Sequence, residues 1–205
     1  MRIGGLQKFS LIDYPGKASA VVFAQGCNFR CPFCHNPELV FPEAFSACLS
    51  LDEVLAFLEE RAGRLDGVVV TGGEPTLQQG LINFLALVKR LGYFIKVDTN
   101  GSRPHVLREV IRLKLVDYLA MDIKAPLAKY PAVAGTEVSL GDIQESIGII
   151  RDSGLEHQFR TTFYKPLLDE DDLAGARELA GGEKDFCVQE YIRRTEKKIY
   201  ADFSA

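Results

Sequence analysis

Short runs rich in β-branched residues alternate along this chain with longer segments in which apolar residues recur every three or four positions. The runs at 18–24, 67–71, 94–99, 116–122, 158–164 and 185–189 predict six strands. The segment 51–62 predicts an amphipathic helix: Leu51, Val54, Leu55 and Leu58 share one face, and Ser50 with Glu53 forms a capping box at its start. Further helices are predicted at 77–91, closed by Gly92; at 104–113, with Pro104 in the first turn; at 140–152, closed by Gly154; and at 171–180. Strands alternating with helices define an α/β chain with parallel pairing and right-handed crossovers. Six such strands fall short of the eight of a closed barrel. The expected architecture is therefore a partial, open (β/α)6 barrel, with an open doubly wound sheet as the alternative.

A hydrophobic content of 47% over 205 residues is enough for one proper core. No low-complexity stretch, long linker or internal repeat marks a second unit, so a single domain over 1–205 is expected. No apolar run approaches a membrane span and no apolar leader opens the chain, which leads to the expectation of a soluble, cytoplasmic protein. The net charge of −4 argues against a nucleic-acid-binding surface. Arg193, Arg194, Lys197 and Lys198 form a local basic cluster, read here as a solvated face.

The strongest chemical signal is Cys27, Cys31 and Cys34, a C-x-x-x-C-x-x-C run followed by His35. Three thiolates this close can hold three irons of a cubane cluster and leave the fourth iron to an external ligand, whereas an electron-transfer ferredoxin supplies a fourth cysteine. An open iron suits S-adenosylmethionine bound for radical chemistry. Zinc is the competing reading. His35 is poorly placed for it, because adjacent side chains rarely converge on one tetrahedral ion, which leaves Cys48 as fourth donor. A structural disulfide is disfavoured by the odd count of five cysteines and the missing leader.

Polar or glycine-rich clusters fall at five predicted strands. The first strand runs into the cysteine loop, the second into Thr71-Gly-Gly-Glu-Pro75, the third into Asp98-Thr-Asn-Gly101 and the fourth into Met121-Asp-Ile-Lys124; the fifth carries Arg160-Thr-Thr162. Ligands collect at this end of a parallel sheet. Gly72 and Gly73 remove side chains so that backbone groups can approach a methionyl amino and carboxylate end; alone, they read as a turn. Asp98, Thr99 and Asn100 offer oxygens to a ribose, an ammonium or a bound cation, or else form a strand-to-helix turn. Asp122 and Lys124 alternate and so face one side, where a zwitterionic amino acid or an internal ion pair would satisfy them.

Together with Asp13-Tyr-Pro-Gly16, Gln25-Gly-Cys27 and His35-Asn-Pro-Glu38, these motifs give the chain a resemblance, over essentially its whole length, to the radical S-adenosylmethionine enzymes that activate glycyl-radical enzymes. Within that group it is most similar to the anaerobic ribonucleoside-triphosphate reductase activating proteins. The resemblance implies a 4Fe-4S cluster on Cys27, Cys31 and Cys34, adenine contacts around Phe33 and His35, and a methionyl amino end held by Gly73 and Glu74. It also implies that Asp122 and Lys124 meet S-adenosylmethionine, and that Asp98 with Thr99 completes a monovalent-cation site beside its carboxylate.

The implied reaction is hydrogen abstraction from a glycine of a partner, an anaerobic ribonucleotide reductase, with a flavodoxin- or ferredoxin-like protein as electron donor. The chain departs from the group's pattern in two places. Tyr14 stands where the group has the glycine of Asp-Gly-Pro-Gly, and no histidine follows His157 to match a late histidine of some relatives, which leaves Gln189 as the candidate for that place. Cys48 and Cys187 are expected to be free thiols, with no auxiliary cluster. The alternatives are a radical enzyme acting on a small molecule such as a deazapurine precursor, and a zinc-bearing binding module.

Overall fold

Seven strands, one more than the periodicity predicts, form the sheet of the computed structural model, which describes residues 1–182 and 184–192. The basic quartet Arg193, Arg194, Lys197 and Lys198 lies outside the described residues. The elements follow as β1 (Ile3–Ser10), β2 (Ser19–Ala24), α1 (Leu51–Arg61), β3 (Gly67–Gly72), α2 (Leu81–Arg90), β4 (Phe94–Thr99), α3 (Pro104–Arg112), β5 (Tyr118–Asp122), α4 (Tyr130–Ala134), α5 (Leu140–Arg151), β6 (Glu156–Phe163), α6 (Glu170–Ala180) and β7 (Phe186–Glu190). Strand order in the sheet is chain order; β2 to β7 are parallel, β1 is antiparallel to β2, and the sheet stays open.

The additional strand, β1, hides from a period-two reading because its pairing with β2 shifts register twice, between Ile3 and Gly5 and between Gln7 and Ser10. Each shift breaks the in-out alternation, so Phe9 points to solvent while Leu6 and Ser10 are buried. The five-residue α4 is too short to display a helical period and ends at Gly135 in the left-handed conformation. The helix predicted at 77–91 begins at Leu81, because Pro75–Leu77 forms a separate 3-10 turn whose Thr76 N–H is accepted by Glu74.

Alternation along the strands separates two apolar clusters. Ala20, Val22, Val68, Val70, Ile95 and Val97 pack with Val54, Leu58, Phe84, Leu85 and Leu107 of the helices. The alternate residues Val21, Phe23, Val69, Tyr118 and Ala120 turn to the other, concave face and gather around Tyr14. The Tyr14 ring is 2% exposed and lies edge-on to Tyr118 with centroids 5.9 Å apart. It also lies against Gly67, where an added Cβ would come within 3.0 Å of the ring. Tyr14 thus fills the amino-terminal end of the strands, a job glycine could not do, and the opposite end is left for chemistry. Among the described residues no helix is long and apolar enough to cross a membrane.

The capping box is present at α1: Ser50 accepts from the Glu53 N–H, and Glu53 accepts from the Ser50 N–H. Ser50→Ala removes one of these bonds and is expected to cost about 1 kcal/mol of stability. A shift of the urea midpoint at unchanged slope would report it.

Candidate active site

Parallel strands β2 to β7 bring their carboxyl ends to one edge, where every site residue expected from the sequence lines a single cavity: Cys27, Cys31, Phe33, Cys34, His35, Gly73, Glu74, Asp98, Thr99, Asn100, Asp122 and Lys124. Arg160, Thr162 and Gln189 join them from β6 and β7. Cys48 and Cys187 lie outside this lining; the exposed Cys48 donates to the Gln25 side chain at 3.3 Å.

The cysteine loop is pinned at both ends and in its middle. At its base the Gly26 N–H donates to Leu39 O at 2.7 Å, and Glu74 N–H donates to Gly26 O at 2.8 Å. A Cβ on Gly73 would collide with that Gly26 carbonyl, so the space glycine leaves in the Gly-Gly turn is taken by the cysteine loop itself. In the middle, the Arg30 N–H donates to Ala134 O at 2.8 Å, and a side chain at Gly135 would strike the Arg30 carbonyl. The Arg30 guanidinium caps the carbonyls of Cys27 and Phe29 at 2.7 and 2.8 Å. The short helix α4 is therefore a strut for the loop, and Tyr130 from it meets Phe29 edge-on.

Aromatic contacts then tie the loop to the far side of the sheet. Phe33 stacks on Tyr164 with centroids 5.3 Å apart, His35 stacks on Tyr191 at 5.5 Å, and Tyr164 meets Tyr191 edge-on at 5.1 Å. Sequence reasoning missed Tyr164 and Tyr191; their position directly after β6 and β7 was the available signal.

Glu74 is fully buried and its carboxylate accepts four hydrogen bonds: from Thr76 N–H, Thr76 Oγ1 and Thr99 Oγ1 on one oxygen, and from Asn100 N–H on the other. It joins the loop after β3 to the loop after β4. Burial raises its pKa and the four donors counter only part of that. Asn100 in turn directs its amide N–H toward Cys27 Sγ at 3.8 Å and to Asn28 at 2.9 Å, while the Phe29 N–H lies 3.3 Å from the same sulfur. Donors around a thiolate ligand are the means by which a protein tunes an iron-sulfur centre.

Below the loop runs a chain of alternating charge: Lys96, Asp98, Arg160, Asp122, Lys124. Lys96 pairs with Asp98 Oδ1, Arg160 bridges Asp98 Oδ2 at 3.3 Å and Asp122 Oδ1 at 2.9 Å, and Lys124 holds Asp122 Oδ2 at 3.0 Å. Burial by itself raises the Asp122 carboxyl, but Arg160 and Lys124 together outweigh it and hold the group well below the usual carboxylate range. Burial likewise lowers Lys124, and Asp122 followed by Cys31 overrides it, keeping the ammonium charged. Arg160 was legible as part of a polar cluster but not as the bridge, because only the strand register sets it opposite Asp122. Lys96 carries no such signal in the sequence, since it lies inside a strand rather than at its end.

The donor set fits an iron-sulfur cluster. Three thiols open into one cavity, Cys31 and Cys34 from the two ends of one turn and Cys27 from the start of the loop, and among the described residues no three His, Cys, Asp or Glu side chains gather at the spacing of a single ion. Burial pushes the Cys27 thiol up to about 12, with Glu74 adding to the effect, and raises Cys31 as well. Coordination to metal is what makes thiolates stable in such a place.

An open parallel sheet with a three-cysteine loop after its first parallel strand defines an S-adenosylmethionine-dependent radical enzyme, and the chain belongs to the Radical SAM superfamily, whose profile matches residues 21–179. Within it the chain falls among the glycyl-radical enzyme activating enzymes. It is 36% identical over 177 residues to a Methanocaldococcus jannaschii protein named as such, covering 83% of this chain and 72% of the relative. It is 34% identical over 132 residues to the pyruvate formate-lyase-activating enzyme of Listeria monocytogenes, covering 60% of this chain and about half, 53%, of that protein. A solved structure of anSMEcpe with bound AdoMet shares the fold with a TM-score of 0.65 at 14% identity, over 87% of this chain and 53% of the other. Members of this superfamily use a 4Fe-4S cluster and S-adenosylmethionine, and the chain is an enzyme.

Proposed function

We propose that this chain activates an anaerobic ribonucleoside-triphosphate reductase by making a glycyl radical on it. When bound, the cluster and S-adenosylmethionine supply the one-electron chemistry: an electron from a flavodoxin- or ferredoxin-like donor yields methionine and a 5'-deoxyadenosyl radical, which takes a hydrogen atom from a glycine α-carbon. The observation that carries this reading is the convergence of the three thiols, the Gly72-Gly-Glu74 turn and the paired charges of Asp122, Lys124 and Arg160 on one cavity.

The chain's own groups bind and orient. Cys27, Cys31 and Cys34 are the metal ligands. Lys124 and Arg160 present positive charge to a ligand carboxylate, and the Gly73 backbone with Asp122 faces its ammonium. Phe33 and His35, held in place by Tyr164 and Tyr191, offer ring and backbone surface to an adenine. Similarity to named activating enzymes supports a protein substrate.

The test mixes the reduced protein, S-adenosylmethionine and the reductase without oxygen. A doublet EPR signal is expected, and a reductase labelled with α-deuterated glycine is expected to send deuterium into 5'-deoxyadenosine. Label-free 5'-deoxyadenosine with every glycyl-radical partner, alongside turnover of a free metabolite such as a deazapurine precursor, would replace this reading with the small-molecule one.

A further inference from the structure

Lys96 is a charged residue in the middle of β4, yet it is only 3% exposed. It shares the concave face with Asp98, two residues on, and its ammonium lies against one Asp98 oxygen and 5.9 Å from the centroid of the Tyr118 ring. The other Asp98 oxygen and one oxygen of Asp122 are bridged by Arg160, and Lys124 takes the last. All four carboxylate oxygens therefore face a protein cation. Thr99 is committed as well, donating its hydroxyl to Glu74 at 2.7 Å. Asp98 and Thr99 do not offer a vacant oxygen cage to a metal ion.

Charge counting gives this a purpose. Three cations and two carboxylates leave one excess positive charge in the chain. Without Lys96 the remaining four groups of this chain cancel, and Asp98, no longer neutralised by Lys96, opposes the hold of Arg160 and Lys124 on a ligand carboxylate. We propose that the Lys96 ammonium is the resident cation of this site, standing where a monovalent metal ion would otherwise sit beside Asp98, so that S-adenosylmethionine binds with no alkali metal ion. The inference rests on the S-adenosylmethionine site proposed above. An ammonium on a strand cannot dissociate, and its desolvation is offset by direct contact with Asp98.

The experiment measures S-adenosylmethionine affinity of the cluster-loaded protein, read from the change it causes in the reduced cluster's EPR signal, in potassium, sodium or choline chloride at one ionic strength. The wild-type chain is expected to bind equally in all three. Lys96→Met is expected to bind about tenfold more weakly in choline chloride and to recover in potassium or sodium. Wild-type binding that collapses in choline chloride overturns the inference, as does a Lys96→Met chain that no cation rescues. Should Lys96→Met fail to fold, the wild-type salt series decides alone. A protein that binds no S-adenosylmethionine in any salt refutes the proposed function instead. Melting then still tests Lys96: potassium raising the melting temperature of the variant but not of the wild type supports its role, and equal melting in every salt overturns it.

Discussion

Alanine at any one of Cys27, Cys31 and Cys34 is expected to abolish the proposed iron-sulfur cluster and, with it, all cleavage of S-adenosylmethionine. In the proposed cluster each thiol would hold one iron, and the cavity has no fourth cysteine to take over, since Cys48 lies outside it beside Gln25. The loop itself is expected to survive the substitutions, because its anchors are backbone bonds from Gly26, Arg30 and Glu74 rather than the sulfurs. After anaerobic reconstitution the wild-type chain should contain about four irons and four sulfides, the three variants only background, and Cys48→Ala and Cys187→Ala the wild-type amount. A cluster of normal content in one of the three variants would remove that cysteine from the ligand set.

Glu74→Ala is expected to cost about 3 to 5 kcal/mol of folding stability, the largest loss of any single polar substitution in the site. The change strands four donors in a place water does not reach: Thr76 N–H, two threonine hydroxyls and Asn100 N–H. Glu74→Gln is nearly as damaging despite its shape, because an amide NH2 must then face one set of those donors. Denaturant unfolding of the cluster-free chain gives the number, and a cost below about 1 kcal/mol would mean that the loops after β3 and β4 hold each other without the carboxylate.

The cysteine run and Glu74 also mark how far the sequence could be read. The cysteine run is legible because its chemistry depends on local spacing, and α1 is legible because Ser50 and Glu53 bracket an apolar face. Glu74 could be placed at a strand end, but its partners Thr99 and Asn100 are contributed by a different loop, and only the parallel pairing of β3 with β4 makes them neighbours. Lys96 escaped notice for a related reason. In a strand with one wet face, a lysine between isoleucine and valine reads as solvent-facing, and only the curvature of the sheet makes that face an interior. Strand β1 was lost to its bulges, and α4 to its brevity. The reading succeeded where structure repeats along the chain and failed where it arises across the sheet.

Agreement between strand order and chain order bears on how the molecule is made. A ribosome releases the strands in the sequence in which they pair, so each new one meets an edge completed moments before, and no strand must wait for a distant mate. The scaffold can grow vectorially. The reaction chamber cannot, for its walls come from opposite sides of the sheet: Cys27 to Cys34 after β2, one strand in from the β1 edge, and Gln189 in β7. A nascent chain halted before β7 already carries its thiols and its strut, yet lacks the Tyr191 ring that stacks on His35. Translation thus delivers the three thiols well ahead of the ring that packs beside them, and the cavity is complete only when β7 has docked.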